Sequence, residues 1–247
     1  MLTYLVVFIF GAVVGSFLNV CIYRVPRGES LVLPDSRCPD CREQIAFYDN
    51  IPIISYILLK GRCRKCGSKI SFRYPVVEAL NGLLYLFLYF AFGPGVQFLI
   101  YAVFISSLIV VTFIDLDSQI IPDRITIPGT ILGILLASTL LPVGLKDSLT
   151  GAILGGGFFY LTAVVSRGGM GGGDIKLIAM IGSFLGWKEV LLTIFLGALS
   201  GSIVGIFLMI FKGKGRKHKI PFGPFLALGA ILSLFLGKDL IEWYLNP

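Results

Sequence analysis

Polar positions gather in a few short stretches of this chain, and apolar positions run almost unbroken between them. An apolar run of about 17–25 residues is long enough to cross a bilayer as a helix. Eight such spans are predicted, at 2–22, 75–92, 96–114, 125–141, 149–166, 175–187, 189–211 and 221–237. The sixth is the shortest and starts beside a run of glycines. The pattern predicts an all-α polytopic membrane protein of about eight transmembrane helices, with one long polar loop, 24–73, after the first. No basic residue precedes the first span, so it lacks the charged start of a secretory signal and is read as retained. Cys21 within it is read as a small packing residue. The expected division is an N-terminal region, 1–92, holding two spans and the loop, and a six-span core, 93–247.

Composition agrees and narrows the chemistry. Of the 247 residues, 56% are apolar and only 14% charged, against about 45–50% and 25% in soluble domains. Mean hydropathy is +0.89. The single histidine, His218, sits inside a basic run. A Ser-His-Asp triad, a Cys-His pair or a HExxH zinc site would have to depend on it.

The net charge of +7 is explained by its placement. Loops 24–73, 115–124, 167–174 and 212–220 fall on one side of the membrane by parity. Together with Lys176 they hold 18 of the 21 Lys and Arg. Lys146, Lys188 and Lys238 lie on the other side. The rich side is expected to be cytoplasmic, leaving both termini outward. Basic clusters beside spans serve topology and contact with anionic lipid of the bilayer. No nucleic-acid-binding motif accompanies them, and no nucleic-acid partner is expected.

Four of the five cysteines lie in the large loop as Cys38-Pro39-Asp40-Cys41 and Cys63-Arg64-Lys65-Cys66, with 21 residues between the pairs. Two CxxC knuckles at this spacing suit a tetrahedral, zinc-ribbon-like site. Disulfides are the weaker reading in a reducing cytoplasm, and a thioredoxin-like role lacks its βαβ setting. Four thiolates would close the coordination shell, so the expected role is structural, supplying folding energy to a loop with little core.

Acids are scarce enough for their positions to inform. Asp115 ends the third span in Phe113-Ile114-Asp115-Leu116-Asp117, followed by Ile121-Pro122-Asp123. Asp174 follows six residues of which five are glycine. Two spans separate Asp115 from Asp174, so both are expected at one membrane edge. Asp117 and Asp123 also fit solvated helix ends, and Asp123 is placed to cap a helix. The glycines before Asp174 allow close backbone approach that an isolated cap does not need. Paired carboxylates without a histidine suit aspartyl protease chemistry, since like charges at short range share one proton.

These motifs, in this order, resemble those of the type IV prepilin peptidases. Gly15-Ser16-Phe17-Leu18-Asn19-Val20 with Arg24 and Pro26 is similar to the family's opening motif. Both CxxC pairs correspond, as do Asp49-Asn50-Ile51-Pro52 with Ser55-Tyr56, and Tyr74-Pro75 with Glu78. Gly171-Gly172-Gly173-Asp174-Ile175-Lys176 resembles the GxGD box of intramembrane aspartyl proteases, and Pro221-Phe222-Gly223-Pro224-Phe225-Leu226-Ala227 the late motif.

The resemblance implies that Asp115 and Asp174 are the catalytic pair. It implies Asp117, Asp123, Gly171, Gly173 and Lys176 as substrate-binding or supporting residues. The implied substrates are prepilin or pseudopilin precursors, cut after the Gly of a short basic leader at the cytoplasmic face of the bacterial inner membrane. Contact with pilus or type II secretion machinery is indirect. Methylation of the new amine from S-adenosylmethionine is implied by resemblance alone. The acids Asp115, Asp117 and Asp123 are expected to attract the leader. A peptidase without methylation, a proton-coupled transporter using the edge aspartates, and a membrane scaffold remain as alternatives.

Overall fold

The computed structural model describes residues 2–32, 36–167, 169–212 and 220–245. The basic segment 213–219 and the terminal Met1, Pro247 lie outside them. All eight predicted segments form helices. They are α1 (Leu2–Arg24), α3 (Arg73–Phe92), α4 (Val96–Ser118), α5 (Asp123–Ala137), α6 (Gly144–Val165), α7 (Gly172–Leu185), α8 (Trp187–Lys212) and α9 (Gly223–Leu245). A one-turn helix, α2 (Ile54–Leu58), lies in the polar loop.

Six of the helices are long and apolar enough to cross a membrane. The exceptions are α5 and α7, with 15 and 14 residues, about 21–23 Å at 1.5 Å per residue against a hydrocarbon core of about 30 Å. The reason α7 can be short is its surroundings. Leu177, Ile178, Met180, Ile181, Phe184 and Leu185 are all buried, in packing against α5, α6, α8 and α9. It therefore has little surface that lipid must cover.

The chain forms two compact units, 1–110 and 111–247, with α4 running through the division. In the first, α1 and α3 pack antiparallel at backbone distance. A Cβ on Gly11 would lie 2.8 Å from the Gly82 Cα, and one on Gly15 would lie 2.7 Å from the Glu78 Cα. Lipid tails are as apolar as leucine, so helices in membranes associate through such close packing and through buried polar bonds. Both occur here. Asn81, fully buried, donates to the Gly11 carbonyl at 2.6 Å and accepts from the Ser106 hydroxyl at 3.1 Å. Cys21 is buried in the same unit, in keeping with a packing role.

In the second unit, glycines again set the spacing. Gly151 of α6 and Gly182 of α7 oppose each other so closely that a Cβ on either would collide with the other's carbonyl. A single residue joins α7 to α8. Gly186 has φ +91°, a left-handed conformation that glycine adopts without steric cost.

Gly15→Val should destabilise the first unit by about 1–3 kcal/mol by overpacking. Gly95→Ala, whose Cβ would meet nothing within 4 Å, should be neutral. Thermal melting in detergent distinguishes them, and equal stabilities would contradict the packing described.

Candidate functional site

Asp115 lies on the last turn of α4 and is 5% exposed. Its helix ends abruptly. Gln119 takes φ +54° and its N–H bonds to the Asp115 carbonyl at 2.9 Å, a left-handed helix stop. The side chain turns toward α9, where the Gly223 backbone N–H donates to Oδ2 at 2.9 Å. A Cβ on Gly223 would sit 2.8 Å from that oxygen. Gly223 opens α9, so its N–H has no partner within the helix and is available to a carboxylate.

Asp174 is the third residue of α7, half-buried. Its carboxylate folds back over the residue before the helix, and a Cβ on Gly171 would lie 2.8 Å from Oδ2. A Cβ on Gly173 would lie 2.7 Å from the Ile121 Cβ, whereas one on Gly172 would meet nothing within 4 Å. Of the three glycines before Asp174, the third is thus required by contact, and the first leaves the room that the Asp174 carboxylate occupies. The third brings the head of α7 against the turn that follows Asp115. Ile121 also approaches Gly223, with its Cδ1 3.3 Å from a Cβ built there. The two carboxylates, 59 positions apart in sequence, come within electrostatic reach of each other.

The remaining candidates divide. Asp123 does not cap α5. It is the first residue of that helix and makes no capping bond, Pro122 occupying the cap position. It takes Lys176 instead, with Nζ 2.7 Å from both carboxylate oxygens. The pair joins the turn after Asp115 to the helix that carries Asp174. Both partners are partly exposed, 43% for Lys176 and 54% for Asp123. Such pairs contribute only about 0–1 kcal/mol, so this one is better regarded as a tie between segments than as a source of stability. Asp117 is exposed. Residues two apart on a helix do not share a face, so it points away from the side that Asp115 presents.

The polar loop brings its four cysteines together. Their Sγ atoms all lie within 4.8 Å of one another, and Cys38 and Cys66 are 3.8 Å apart. A tetrahedral ion with metal–sulfur bonds near 2.3 Å requires about 3.8 Å between sulfurs, so the cluster fits a metal ion. No pair is bonded as a disulfide.

The two knuckles repeat each other's backbone. Cys38 N–H bonds to the Glu43 carbonyl and Arg42 N–H to the Cys38 carbonyl, at 3.0 and 2.9 Å. The same offsets recur as Cys63 to Ser68 and Gly67 to Cys63, at 2.8 and 2.9 Å. The fourth residue after each first cysteine is left-handed, Arg42 at φ +59° and Gly67 at φ +73°. Bonds from the Cys41 backbone draw the Cys38 thiol down, to about 6. Asp49, from the motif Asp49-Asn50-Ile51-Pro52, accepts two bonds from Arg64, at 2.9 and 2.6 Å. That guanidinium holds its carboxyl below the usual range and ties the motif to the second knuckle.

Gly223 and Ile121 are the site residues that sequence reasoning left without a role. Both were visible only as members of motifs. A backbone donor has no side chain to announce it, and an isoleucine acting as a spacer resembles any other apolar residue.

Residues 9–92 match the Bacterial Peptidase A24 N-terminal domain, and residues 102–206 match the Type IV leader peptidase family. Over 212 residues the chain is 42% identical to a prepilin leader peptidase/N-methyltransferase of Myxococcus xanthus (strain DK1622), covering 84% of this chain and 63% of that protein's length. It is 35% identical over 272 residues to a protein of the same name from Aeromonas salmonicida (strain A449), covering 97% and 93%. With the Bacillus subtilis (strain 168) protein of that name it shares 36% over 245 residues, covering 98% and 97%. No solved structure matches the chain.

The glycine contacts predict opposite outcomes within one motif. Gly172→Ala, in open space with an ordinary helical backbone, should be neutral or stabilise by about 0.4–1 kcal/mol. Gly173→Ala should cost about 1–3 kcal/mol, because the branched Ile121 must move. Melting temperatures in detergent provide the check. Equal effects of the two would show that Ile121 does not set the spacing.

Proposed function

The chain belongs to the type IV leader peptidase family, and from that membership we propose that it is a membrane aspartyl endopeptidase acting through Asp115 and Asp174. The observation that carries this reading is the convergence of two acids from distant segments, with a backbone N–H already holding one of them. Its substrates are prepilin or pseudopilin precursors, from which it removes the short basic leader after Gly. It then methylates the new N-terminal amine. Residues 1–92 form the N-terminal region with the four-cysteine loop, and 93–247 form the peptidase core.

Two close carboxylates share one proton because both cannot ionise at short range. The ionised member takes a proton from water, and the resulting nucleophile attacks the scissile carbonyl. The protonated member donates a hydrogen bond to that carbonyl's oxygen as charge develops on it. Asp115 Oδ2, fixed by the Gly223 N–H, has one oxygen oriented before substrate arrives. Asp174 lies in the first turn of α7 and Asp115 faces the first N–H of α9, so each stands at a helix start that favours negative charge and the pair carries it together. Gly171 and Gly173 leave room for Asp174, and the Asp123–Lys176 pair supports the two segments. Asp117, exposed two residues after Asp115 on the other side of α4, attracts the basic leader at longer range.

The protein sits in the bacterial inner membrane with both termini outward and the aspartates at the cytoplasmic face. Cys38, Cys41, Cys63 and Cys66 hold a structural zinc ion, and S-adenosylmethionine supplies an electrophilic methyl group when bound. Contact with the pilus or type II secretion machinery is indirect, through the substrates. The membrane-transporter alternative draws no support from a pair of acids packed against glycine backbones.

Asp115→Asn and Asp174→Asn should each lower precursor cleavage by at least about a thousandfold, in line with losses on removing central catalytic groups, while folding is kept. Cleavage that persisted in either would overturn the dyad. Changing all four loop cysteines to serine should remove zinc from the purified protein and speed amide exchange within the loop. Unchanged zinc content would disprove the metal site.

A further inference from the structure

Peptide cleavage uses acids of the second unit, and it leaves a buried carboxylate in the first without a task. Glu78 is 6% exposed and makes no ion pair among the described residues. An uncompensated acid inside a membrane protein is costly and marks function more often than packing. Its Oε2 accepts the backbone N–H of Ile53 at 2.7 Å, and the Ser16 hydroxyl also reaches the carboxylate.

One turn along the same α1–α3 seam lies Asn19, 2% exposed. Its Nδ2 donates to the carbonyls of Tyr74 and Gly15 at 3.2 and 3.4 Å. Its Oδ1 has no hydrogen-bond partner. The seam therefore offers acceptor capacity still unused: a carboxylate with lone pairs beyond those bound by Ile53 and Ser16, and an amide oxygen without a partner. That chemistry suits a group rich in N–H and carrying positive charge, which is an ammonium.

Ile53 covers the carboxylate in a strained state. Its φ of +62° and ψ of −50°, with Ile54 N–H bonded to the Pro52 carbonyl at 2.6 Å, form the rare hand of γ-turn. A β-branched residue at positive φ is a conformational outlier, and such strain persists where surrounding contacts impose it, often at ligand clamps. One of the contacts that hold it is the bond to Glu78. A ligand that replaced the Ile53 N–H on the carboxylate would release the turn.

We propose that Glu78 and Asn19 form the binding site for the free α-amine of the cleaved substrate, the group that is methylated. This rests on the function proposed above. The incoming ammonium gives one proton to the Glu78 carboxylate, which passes it to solvent. The exposed nitrogen lone pair forms the N–C bond as the methyl–sulfur bond of the sulfonium donor breaks, sulfur keeping the bonding pair. Asn19 Oδ1 and the free lone pairs of the Glu78 carboxyl group hold the remaining N–H groups and orient the nitrogen lone pair.

The test uses the full chain in detergent and a synthetic hydrophobic peptide bearing the mature N-terminus, with its N-acetylated counterpart. Without methyl donor, the wild type should bind the free-amine peptide at least tenfold more tightly than the acetylated one. Glu78→Gln should abolish that preference. With donor and uncleaved precursor, Glu78→Gln and Asn19→Leu should still release the leader while methylated product falls at least a hundredfold. A wild type that binds both peptides equally overturns the proposal whether or not the variants fold, as does undiminished methylation in Glu78→Gln. Failure of the wild type to cleave precursor would instead overturn the function it rests on.

Discussion

Helices surrounded by lipid gain little by burying apolar side chains against one another, because the acyl chains already offer an equivalent solvent. Close approach of backbones must then hold such a protein together, and in this chain it depends on glycine. Gly11 and Gly15 bring α1 onto α3, Gly151 and Gly182 bring α6 onto α7, and Gly173 brings α7 onto Ile121. The same constraint creates the candidate active site. Because Gly223 has no Cβ, its N–H comes within 2.9 Å of Asp115. Because Gly171 has none, the Asp174 carboxylate can fold over it. Packing and chemistry here are two results of one steric requirement.

The polar loop meets a different constraint with different means. It has few apolar residues to bury, and its order comes from two repeated knuckles whose sulfurs converge, from the Asp49–Arg64 bridge and from the anchoring of Ile53 on Glu78. Each knuckle turns through one left-handed residue, a glycine in one and an arginine in the other. The shared hydrogen-bond pattern imposes that conformation even where the side chain opposes it. Metal binding at such a site is coupled to folding, since the ligands converge only when both knuckles are formed.

Much of this was legible in advance where local signals were strong. Eight apolar runs became eight helices, and the two CxxC pairs became one cluster. Asp115 and Asp174 were singled out by their rarity and by the glycines beside one of them. What was not legible depended on partners distant in sequence. Asp123 looked like a helix cap because proline and helix flanked it, yet it pairs with Lys176, 53 positions away. The shortness of α7 was visible only as a weak span. Its cause, enclosure by four other helices, is a property of their assembly.

Linear pattern alone specifies a membrane-embedded, helical chain with one cysteine-bearing polar loop and scarce acids at one membrane edge. Hydrophobic run length, charge placement and residue scarcity are additive along the chain and need no knowledge of contacts. Tertiary structure decided which glycines are spacers and which are idle, which backbone N–H holds Asp115, and that Glu78 and Asn19 share a seam rich in acceptors. Those outcomes depend on distances between segments, which are fixed only when the helices pack.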